Sequence, residues 1–214
     1  MLLALGISAV AGYLLGSVNF AVLVSKRYGV DILKEGSGNP GATNVKRVLG
    51  KGPGNLVFAL DALKGAAGTY LPFLLADAVS PGAPRFELLA AGFVGTLLGH
   101  CFSCFLKFKG GKGVASTIGG LLVLLPIPIV IGAALWALAF YATRYVSVAS
   151  LALGLSLPLS CWLLPKFTSL QSLQFGSAQL TFAAAIALFN VWTHRSNIGR
   201  LLRGEENKFT KKAS

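Results

Sequence analysis

Charged side chains are scarce in this sequence, where Asp, Glu, Lys and Arg together make up 12% of the residues. A soluble domain carries about 25% charged residues. The apolar residues are gathered into charge-free runs over 1–25, 113–143, 145–165 and 167–194. A membrane-spanning helix needs about 20 predominantly apolar residues, and each run is long enough. The scarcity of charge therefore excludes an ordinary soluble domain and indicates a membrane protein.

Several signatures of covalent or metal-dependent catalysis are also absent. The sequence contains no H-x₄-D pattern after either histidine and no G-x-S-x-G nucleophile elbow. It also contains no GxxxxGK(S/T) phosphate-binding loop. Cys101 and Cys104 form a CxxC pair without a second ligand pair, so buried thiols are predicted rather than a metal, a cofactor or a disulfide framework. Any chemistry must therefore depend on positioning and on the stabilisation of charge.

The apolar runs predict an all-α polytopic membrane protein with about seven transmembrane helices, forming a single domain over residues 1–214. No basic residue opens the first run, which predicts an uncleaved span rather than a secretion signal. Pro126 and Pro128 favour a helix break beside them; one kinked helix over 113–143 is the alternative. The predicted helices cover residues 2–25, 53–77, 86–106, 113–125, 127–143, 145–164 and 177–193.

The distribution of the basic residues decides between these two alternatives. The net charge is +12, and cytoplasmic loops of membrane proteins carry the excess of Lys and Arg. With seven spans and the N-terminus outside, Arg85 and Lys166 are outside, Lys64 lies within a span, and the other basic residues, including Lys211 and Lys212 in the tail, are cytoplasmic. A single helix over 113–143 would instead divide them evenly. The sequence therefore predicts an inner (plasma) membrane protein whose C-terminus and active site face the cytoplasm, and the charge does not require nucleic acid.

The first polar segment reads GSGNPGATNVKR over residues 36–47 and predicts a phosphate site. Its glycines permit positive φ angles and close backbone approach, and successive exposed N–H groups in such a loop suit an anion. Arg47 offers a planar fork that matches phosphate. A flexible loop between two helices is the plainer alternative. The further candidate ligands are Ser37, Gly38, Asn39, Thr43 and Asn44.

The second polar segment reads FKGGKGV over residues 108–114 and enters an apolar helix near Gly113. Helix N-termini attract anions through unpaired N–H groups and the positive end of the dipole. Gly110, Gly111 and Gly113 would let a phosphate approach the backbone, and Lys112 would supply a charge. A basic loop beside a span is the alternative, and it leaves the glycines unexplained.

The third polar segment reads HRSNIGRLLRGE over residues 194–205. On a helix, His194, Asn197 and Arg200 are three residues apart and share a face. A basic amphipathic helix at the membrane interface explains the arginines equally well, so composition leaves both interpretations open. The three polar segments all fall on the predicted cytoplasmic side, where one composite site could form.

Two ionisable residues lie within the second predicted span. Asp61 and Lys64 are three apart, and ionisable groups inside a membrane usually pair or face a polar cavity. We predict a structural ion pair. His100, near the inner end of the third predicted span, could reach the same region and is predicted to be structural.

Taken together, these motifs resemble one family. GSGNPGATNVKR, DALKG over residues 61–65, GH at 99–100 with FKGGKGVAS after it, and HRSNIGRLLRGEE resemble the bacterial acyl-phosphate:glycerol-3-phosphate acyltransferases, known as PlsY. The similarity extends from the first span to the C-terminal tail, with the motifs in the family's order. Ser103 stands where the family usually has proline, a difference that concerns helix geometry.

The resemblance implies transfer of a fatty acyl group from acyl phosphate to the 1-hydroxyl of glycerol 3-phosphate, giving lysophosphatidic acid and phosphate. It implies these two substrates and membrane lipid as partners, no cofactor, no metal and no nucleic acid. On this hypothesis Ser37, Lys112, His194 and Asn197 are catalytic. The substrate-binding residues are then Gly38, Asn39, Thr43, Asn44, Arg47, Gly110, Gly111 and Gly113.

An acyl phosphate is already an activated anhydride, so no covalent enzyme intermediate is expected. His194 could act as the general base, because histidine titrates near neutral pH. The donor's own phosphate titrates in a similar range, and we favour this substrate-assisted route, with His194 and Asn197 orienting the acceptor. Lys112 is assigned to the donor phosphate, and Ser37 with Arg47 to the acceptor phosphate. The acyl chain is expected beside Phe93, Leu97 and Ile118.

Three rival functions differ from this hypothesis. An acyl-CoA-dependent acyltransferase would need a surface for the adenosine moiety, on which the sequence is silent. A transporter of phosphorylated solutes would often carry an internal repeat, and none is found. A structural scaffold would leave the glycine-rich loops unexplained.

Overall fold

The computed structural model describes residues 1–209, and every regular element in that range is helical. One isolated antiparallel bridge joins Ser103 to Lys109. Lys211 and Lys212, which the topology prediction counts as cytoplasmic charges, lie outside the described residues. The helices are α1 Leu2–Ser17, α2 Phe20–Arg27, α3 Ala42–Leu49, α4 Lys51–Val79, α5 Arg85–Cys101, α6 Val114–Leu124, α7 Pro126–Thr143, α8 Val146–Phe167, α9 Ser177–Thr193 and α10 Arg195–Leu202, with 3₁₀ turns at Cys104–Leu106 and Gln171–Leu173.

The first predicted span is wrong as one continuous helix, because the chain breaks at Val18 and Asn19 between α1 and α2. The side-chain oxygen of Asn19 caps α2 by accepting a backbone N–H bond of 2.9 Å. The carbonyl of Ser17 accepts a bond of 2.6 Å from Ser103 Oγ, and the carbonyl of Val18 accepts one of 2.6 Å from Lys64 Nζ. These partners satisfy carbonyl groups that an unbroken helix would bond internally, and they stabilise the break.

The helix predicted over 86–106 also ends early, at Cys101. The hydroxyl of Tyr13 donates a bond of 2.8 Å to the carbonyl of Phe102, just past the helix end. The backbones of Lys107 and Phe108 are left-handed, with φ of 53° and 59°, which no continuing α-helix allows. The helix break predicted beside Pro126 is confirmed, because Leu125 separates α6 from α7.

Packing divides the chain into two compact units, residues 1–124 and residues 125 onward. The single domain over 1–214 stays a prediction. Within the described residues, three stretches are long and apolar enough to cross a membrane by length and composition: α1 with α2, α7, and α8. Helices α6 and α9 are apolar but shorter. The count of seven spans therefore also stays a prediction.

The first unit is built by close approach of helix backbones. A Cβ atom added at Gly12 of α1 would collide with the carbonyl of Gly92 in α5. A Cβ atom at Gly65 of α4 would likewise collide with the carbonyl of Ser116 in α6. Small residues at such crossings let membrane helices approach closely enough for backbone packing. The positions of α4, α5 and α6 are therefore tightly constrained, and these helices carry the polar groups described below.

A compact apolar cluster supports the first polar segment. Ala21 and Val24 of α2 pack with Ile32, Val45 and Val57, all of which are buried. The cluster joins α2, the chain before the first polar segment, α3 and α4. Burial of this apolar surface fixes where α3 begins, and with it the loop that precedes α3.

The second unit contains α7, α8, α9 and α10. Helix α8 packs against α7 and α9, and a Cβ atom at Gly154 of α8 would collide with the side-chain amide of Asn190 in α9. That amide donates a bond of 2.7 Å to the carbonyl of Ser150. A polar contact therefore fixes α9 against α8 near the start of α10.

Candidate active site

Two polar loops of the first unit are anchored on the junction between α1 and α2. The first loop, residues 36–41, is bonded through the carbonyl of Pro40, which accepts from Asn19 Nδ2 at 3.4 Å. The second loop, residues 107–113, follows Ser103, whose hydroxyl donates to the carbonyl of Ser17. The junction therefore brings both predicted phosphate loops to one part of the first unit.

Asn44 organises the first loop from within. Its Oδ1 accepts a bond of 2.9 Å from the N–H of Ser37, and its Nδ2 donates to the carbonyls of Glu35 at 2.9 Å and Ile32 at 3.3 Å. The side chain is 1% exposed. Gly36 has a φ of 59°, and a Cβ there would collide with Asn44 Oδ1. Asn44 was predicted as a substrate ligand, but in the structure its side chain hydrogen-bonds the loop backbone and holds the loop together. Ser37 is exposed at the loop surface.

The glycines of the second loop have a packing reason that the sequence interpretation missed. A Cβ at Gly110 would collide with the carbonyl of His100, and a Cβ at Gly111 would collide with the ring nitrogen Nε2 of the same residue. Gly113 has a φ of 83°, and a Cβ there would collide with Leu97. These contacts press the loop against the end of α5, so the glycines alone do not distinguish a phosphate site from a tightly packed loop. The half-buried Lys112 stands among them.

A buried polar cluster lies behind the second loop. Lys64 Nζ is 3.1 Å from Asp61 Oδ1 and 3.1 Å from His100 Nδ1, and the side chains of Lys64 and Asp61 are 4% and 2% exposed. Ser116 Oγ lies 3.3 Å from the same ring nitrogen. The predicted ion pair is therefore present, and His100 joins it. No cluster of three His, Cys, Asp or Glu residues that could hold a metal occurs within residues 1–209.

The second unit holds a polar cluster around Glu206. One carboxylate oxygen accepts bonds from Asn197 Nδ2 at 2.6 Å and Ser147 Oγ at 2.8 Å, and the other accepts from Arg200 Nε at 2.8 Å. Burial on its own raises the pKa of this carboxyl, but the three hydrogen bonds and the Arg200 charge hold the pKa of Glu206 below its ordinary value. Asn197 and Arg200 thus share a helix face, as their spacing predicts.

His194 is buried at the junction of α9 and α10, and its contacts fix its tautomer. Its Nδ1 lies 2.9 Å from the carbonyl oxygen of Asn190, one turn earlier. A carbonyl oxygen accepts hydrogen bonds and cannot donate them, so Nδ1 carries a proton. In the neutral ring the lone pair is therefore on Nε2.

The other predicted site residues lie as follows. Arg47 is exposed, Asn39 and Thr43 are half-buried, and Gly38 has a φ of 67°. Phe93 and Leu97, expected beside the acyl chain, are 1% and 4% exposed and belong to the interior of the first unit, which argues against that expectation. All predicted residues of the first two segments belong to the first unit, whereas His194 and Asn197 belong to the second.

Three residues that organise these clusters are not among the predicted site residues. Asn19 has a recognisable signal, because asparagine between two apolar stretches is a preferred N-cap. Glu206 has another, since it is the last residue of the HRSNIGRLLRGEE motif. Ser103 bonds the carbonyl of Ser17 through its hydroxyl, a contact that proline at this position would lack. Its φ of −62° lies in the range that proline adopts.

Comparison with known proteins gives matches along nearly the whole chain. The family model described as glycerol-3-phosphate acyltransferase matches residues 6–204. The glycerol-3-phosphate acyltransferase of Shouchella clausii (strain KSM-K16) is 38% identical over 213 residues, which is 99% of each chain. That of Rubrobacter xylanophilus (strain DSM 9941 / JCM 11954 / NBRC 16129 / PRD-1) is 41% identical over 199 residues, which is 92% of each chain.

Solved structures match equally well. The crystal structure of PlsY (YgiH), an integral membrane glycerol 3-phosphate acyltransferase, in its glycerol 3-phosphate form gives a TM-score of 0.81 at 35% identity, covering 96% of each chain. The lysophosphatidic acid form gives 0.79 at 35% identity, covering 96% of this chain and 95% of that one.

The regular elements of residues 1–209 are all helices, several of them are apolar, and the fold matches an integral membrane acyltransferase. The protein therefore belongs to the class of integral membrane acyltransferases. The chain belongs to the glycerol-3-phosphate acyltransferase family of the PlsY type. The resemblance inferred from the motifs is therefore confirmed.

Proposed function

We propose that this protein transfers a fatty acyl group from acyl phosphate to the 1-hydroxyl of glycerol 3-phosphate, releasing lysophosphatidic acid and phosphate for phospholipid synthesis. One observation carries the proposal: a whole-length relative of known structure, PlsY (YgiH), exists in a glycerol 3-phosphate form and in a lysophosphatidic acid form. These ligands are the acceptor and the product of that acylation. The choice of acyl phosphate as donor rests on the family resemblance and on the paired basic loops.

We further propose seven spans in the inner membrane, with the N-terminus outside and the active site facing the cytoplasm. The distribution of Lys and Arg supports this topology. Contacts between basic and aromatic side chains support it as well: Lys166 Nζ lies 3.3 Å from the ring centre of Trp162, and Arg195 lies 4.4 Å from that of Trp192. Tryptophan and basic side chains are typical of the membrane–water interface, and these pairs lie at the ends of α8 and α9.

The donor phosphate is assigned to the second loop. Lys112 supplies a positive charge, and residues 110–113 lead into the N-terminus of α6, where unpaired N–H groups of a first helical turn attract anions. Thr43 is assigned beside them. The same donors would stabilise the negative charge that develops on the carbonyl oxygen during attack. The anchoring of both loops on residues 17–19 supports their action in one site.

The acceptor phosphate is assigned to the first loop and α3. Ser37 and Arg47 are exposed and offer a hydroxyl and a planar guanidinium fork. Gly38 and Asn39 contribute backbone and side-chain groups from the same loop. Asn44, with its side chain bonded inside the loop, is assigned to holding the amide of Ser37 in place.

His194 and Asn197 are assigned to the acceptor's hydroxyl end. The two side chains would orient the 1-hydroxyl toward the acyl carbonyl carbon, with its proton directed at the donor phosphate. The hydroxyl oxygen then attacks the acyl carbonyl carbon, the bond from that carbon to the phosphate oxygen breaks, and the hydroxyl proton passes to the leaving phosphate. No covalent enzyme intermediate forms on this route.

The first test uses purified protein in detergent or lipid, with radiolabelled glycerol 3-phosphate and either palmitoyl phosphate or palmitoyl-CoA. We expect labelled lysophosphatidic acid with palmitoyl phosphate alone. Product from the thioester alone would keep the reaction and overturn the donor. No product with either donor, together with uptake of labelled glycerol 3-phosphate into vesicles, would replace the enzyme with a transporter.

A further inference from the structure

The buried ammonium group of Lys64 lies close to three polar groups. An ammonium group carries three protons and no lone pair. Its nitrogen lies 2.6 Å from the carbonyl oxygen of Val18, 3.1 Å from Asp61 Oδ1 and 3.1 Å from His100 Nδ1. All three contacts lie within the first unit. Lys64 therefore hydrogen-bonds the Val18 carbonyl and the histidine nitrogen, which supplies a lone pair, and it forms an ion pair with the Asp61 carboxylate.

This geometry fixes the protonation of His100. Since Nδ1 accepts from Lys64, the imidazole is neutral and its proton is on Nε2. The carboxylate of Asp61 lies 3.7 Å from Nδ1 and has its countercharge in Lys64. Ser116 Oγ, 3.3 Å from Nδ1, holds the ring from the side of α6. The imidazole is 4% exposed and is fixed by groups on α4 and α6.

The other side of His100 meets the second loop. The N–H of Gly111 donates a bond of 3.1 Å to the carbonyl of His100. The Nε2 edge of the ring occupies the space that a Cβ of Gly111 would need, and Gly110 lies against the carbonyls of His100 and Cys101. His100 thus contacts the loop with its main chain and with its ring.

We propose that His100 is a positioning residue for the second loop: the Asp61–Lys64 pair holds the imidazole, and His100 in turn holds Gly110 and Gly111, so that Lys112 beside them stays in place for the donor phosphate. The inference rests on the proposed function, in which this loop binds acyl phosphate. A simple ion pair between α4 residues would not require a neutral histidine at the loop, whereas a loop whose lysine must stay in place does require a rigid support.

The substitution His100→Leu removes the acceptor for Lys64, and His100→Asn restores an oxygen at the position of Nδ1. The control is Thr96→Val on the same helix, where the hydroxyl donates to the carbonyls of Gly12 and Gly92 and is buried away from the loop. We expect H100L to lower kcat/KM for palmitoyl phosphate at least about tenfold, since a displacement of about 1 Å can cost on the order of 100-fold. The KM for glycerol 3-phosphate should stay within about twofold.

The conservative variant H100N should recover most of the lost kcat/KM, and T96V should leave both KM values unchanged even if its thermal stability falls. A loss in H100L that only tracks reduced folded protein, with both KM values intact, would overturn the proposal. Equal losses in H100N and H100L would also overturn it, because the Lys64 contact would then be irrelevant.

A second readout does not depend on activity. A spin label on Lys109→Cys, in a background where the exposed Cys104 is serine, reports the mobility of the second loop. We expect H100L to raise that mobility and H100N to leave it near the parent value. Unchanged mobility in H100L would reject the positioning role. This result can be read even if the wild-type protein makes no lysophosphatidic acid, so failure of the positioning role is distinguishable from failure of the proposed function.

Discussion

Lys112 is assigned to the acyl phosphate donor and His194 to the glycerol 3-phosphate acceptor, and removing each side chain should lower kcat by a different factor. Loss of one charged donor that stabilises a developing oxyanion costs about 10²–10³ in kcat, and this is the expected effect of Lys112→Ala. His194→Ala removes one orienting hydrogen bond, and we expect a loss of about tenfold, equivalent to about 1.4 kcal/mol. The measurement is steady-state turnover of palmitoyl phosphate and labelled glycerol 3-phosphate.

Lys109→Ala is the matched control for the first of these changes. Lys109 is exposed in the same loop, and its backbone N–H bonds the carbonyl of Leu106 whatever its side chain is. Its removal should change activity little. A general base contributes about 10²–10⁴ in rate. An equally complete loss in Lys112→Ala and His194→Ala would therefore return His194 to the role of base.

At the scale of elements, α10 depends on a carboxylate that is not part of it. Glu206 accepts hydrogen bonds from Asn197 and Arg200 of α10 and from Ser147 of α8, and its side chain is 7% exposed. The residue therefore fixes the helix that carries Asn197 against the second unit. Without it, α10 is a basic amphipathic segment of eight residues, too short to be stable alone.

The pH dependence of stability tests this contact. Because the pKa of Glu206 is lowered in the folded protein, its carboxylate contributes stability above the ordinary glutamate range, and that contribution is lost as the pH falls below it. Glu206→Gln should lower the thermal midpoint at pH 7, through a loss of about 1–3 kcal/mol. The difference from wild type should shrink as the pH falls below the ordinary glutamate range. Thermal unfolding in detergent across this range is the measurement.

Glu205→Gln provides the control, because Glu205 pairs with Arg203 at 2.8 Å with side chains 57% and 60% exposed. An exposed pair of this kind contributes about 0–1 kcal/mol, so the control should shift the midpoint little at either pH. A Glu206→Gln difference that stays constant between neutral and acid pH would contradict the assignment.

The helix bounds show which parts of the fold the sequence predicts and which it does not. The apolar runs predict the helices well, since α4, α7, α8 and α9 begin and end within about three residues of their predicted bounds. The break at Asn19 was missed because its stabilising partners, Ser103 and Lys64, are distant in sequence. Periodicity reports which face of a helix is apolar, and it carries no information about bonds between distant carbonyls and side chains.

The predicted site residues rest on a different kind of signal, and their roles stay predictions. Small polar residues, glycines and single basic residues stand out between apolar runs, so Ser37, Lys112 and His194 could be named from the sequence alone. Their supports could not be named. His100 was predicted to be structural, and its contact with Gly111 depends on how α5 ends, while the bonds of Glu206 to Asn197 and Ser147 depend on the path of the chain after α10.

At the scale of the whole molecule, the number and direction of the spans govern which face meets soluble glycerol 3-phosphate. The first alternative has seven spans with the N-terminus outside. The second joins 113–143 into one span and reverses every later segment. Both leave the chain before residue 113 unchanged. The basic residues favour the first, and the helix break at Leu125 is compatible with it.

Single cysteines distinguish these topologies in cells when the three native cysteines are replaced. The exposed positions Lys51, Ser169 and Asn207 are suitable. With a membrane-impermeant maleimide, we expect labelling of Ser169→Cys in intact cells, and labelling of Lys51→Cys and Asn207→Cys after permeabilisation. Lys51 is the internal control, since both alternatives put it inside. Labelling of Asn207→Cys in intact cells, with Ser169→Cys labelled only after permeabilisation, would establish the joined span. Labelling of Lys51→Cys in intact cells would instead reverse the orientation of the first unit and place the proposed phosphate loops outside the cytoplasm.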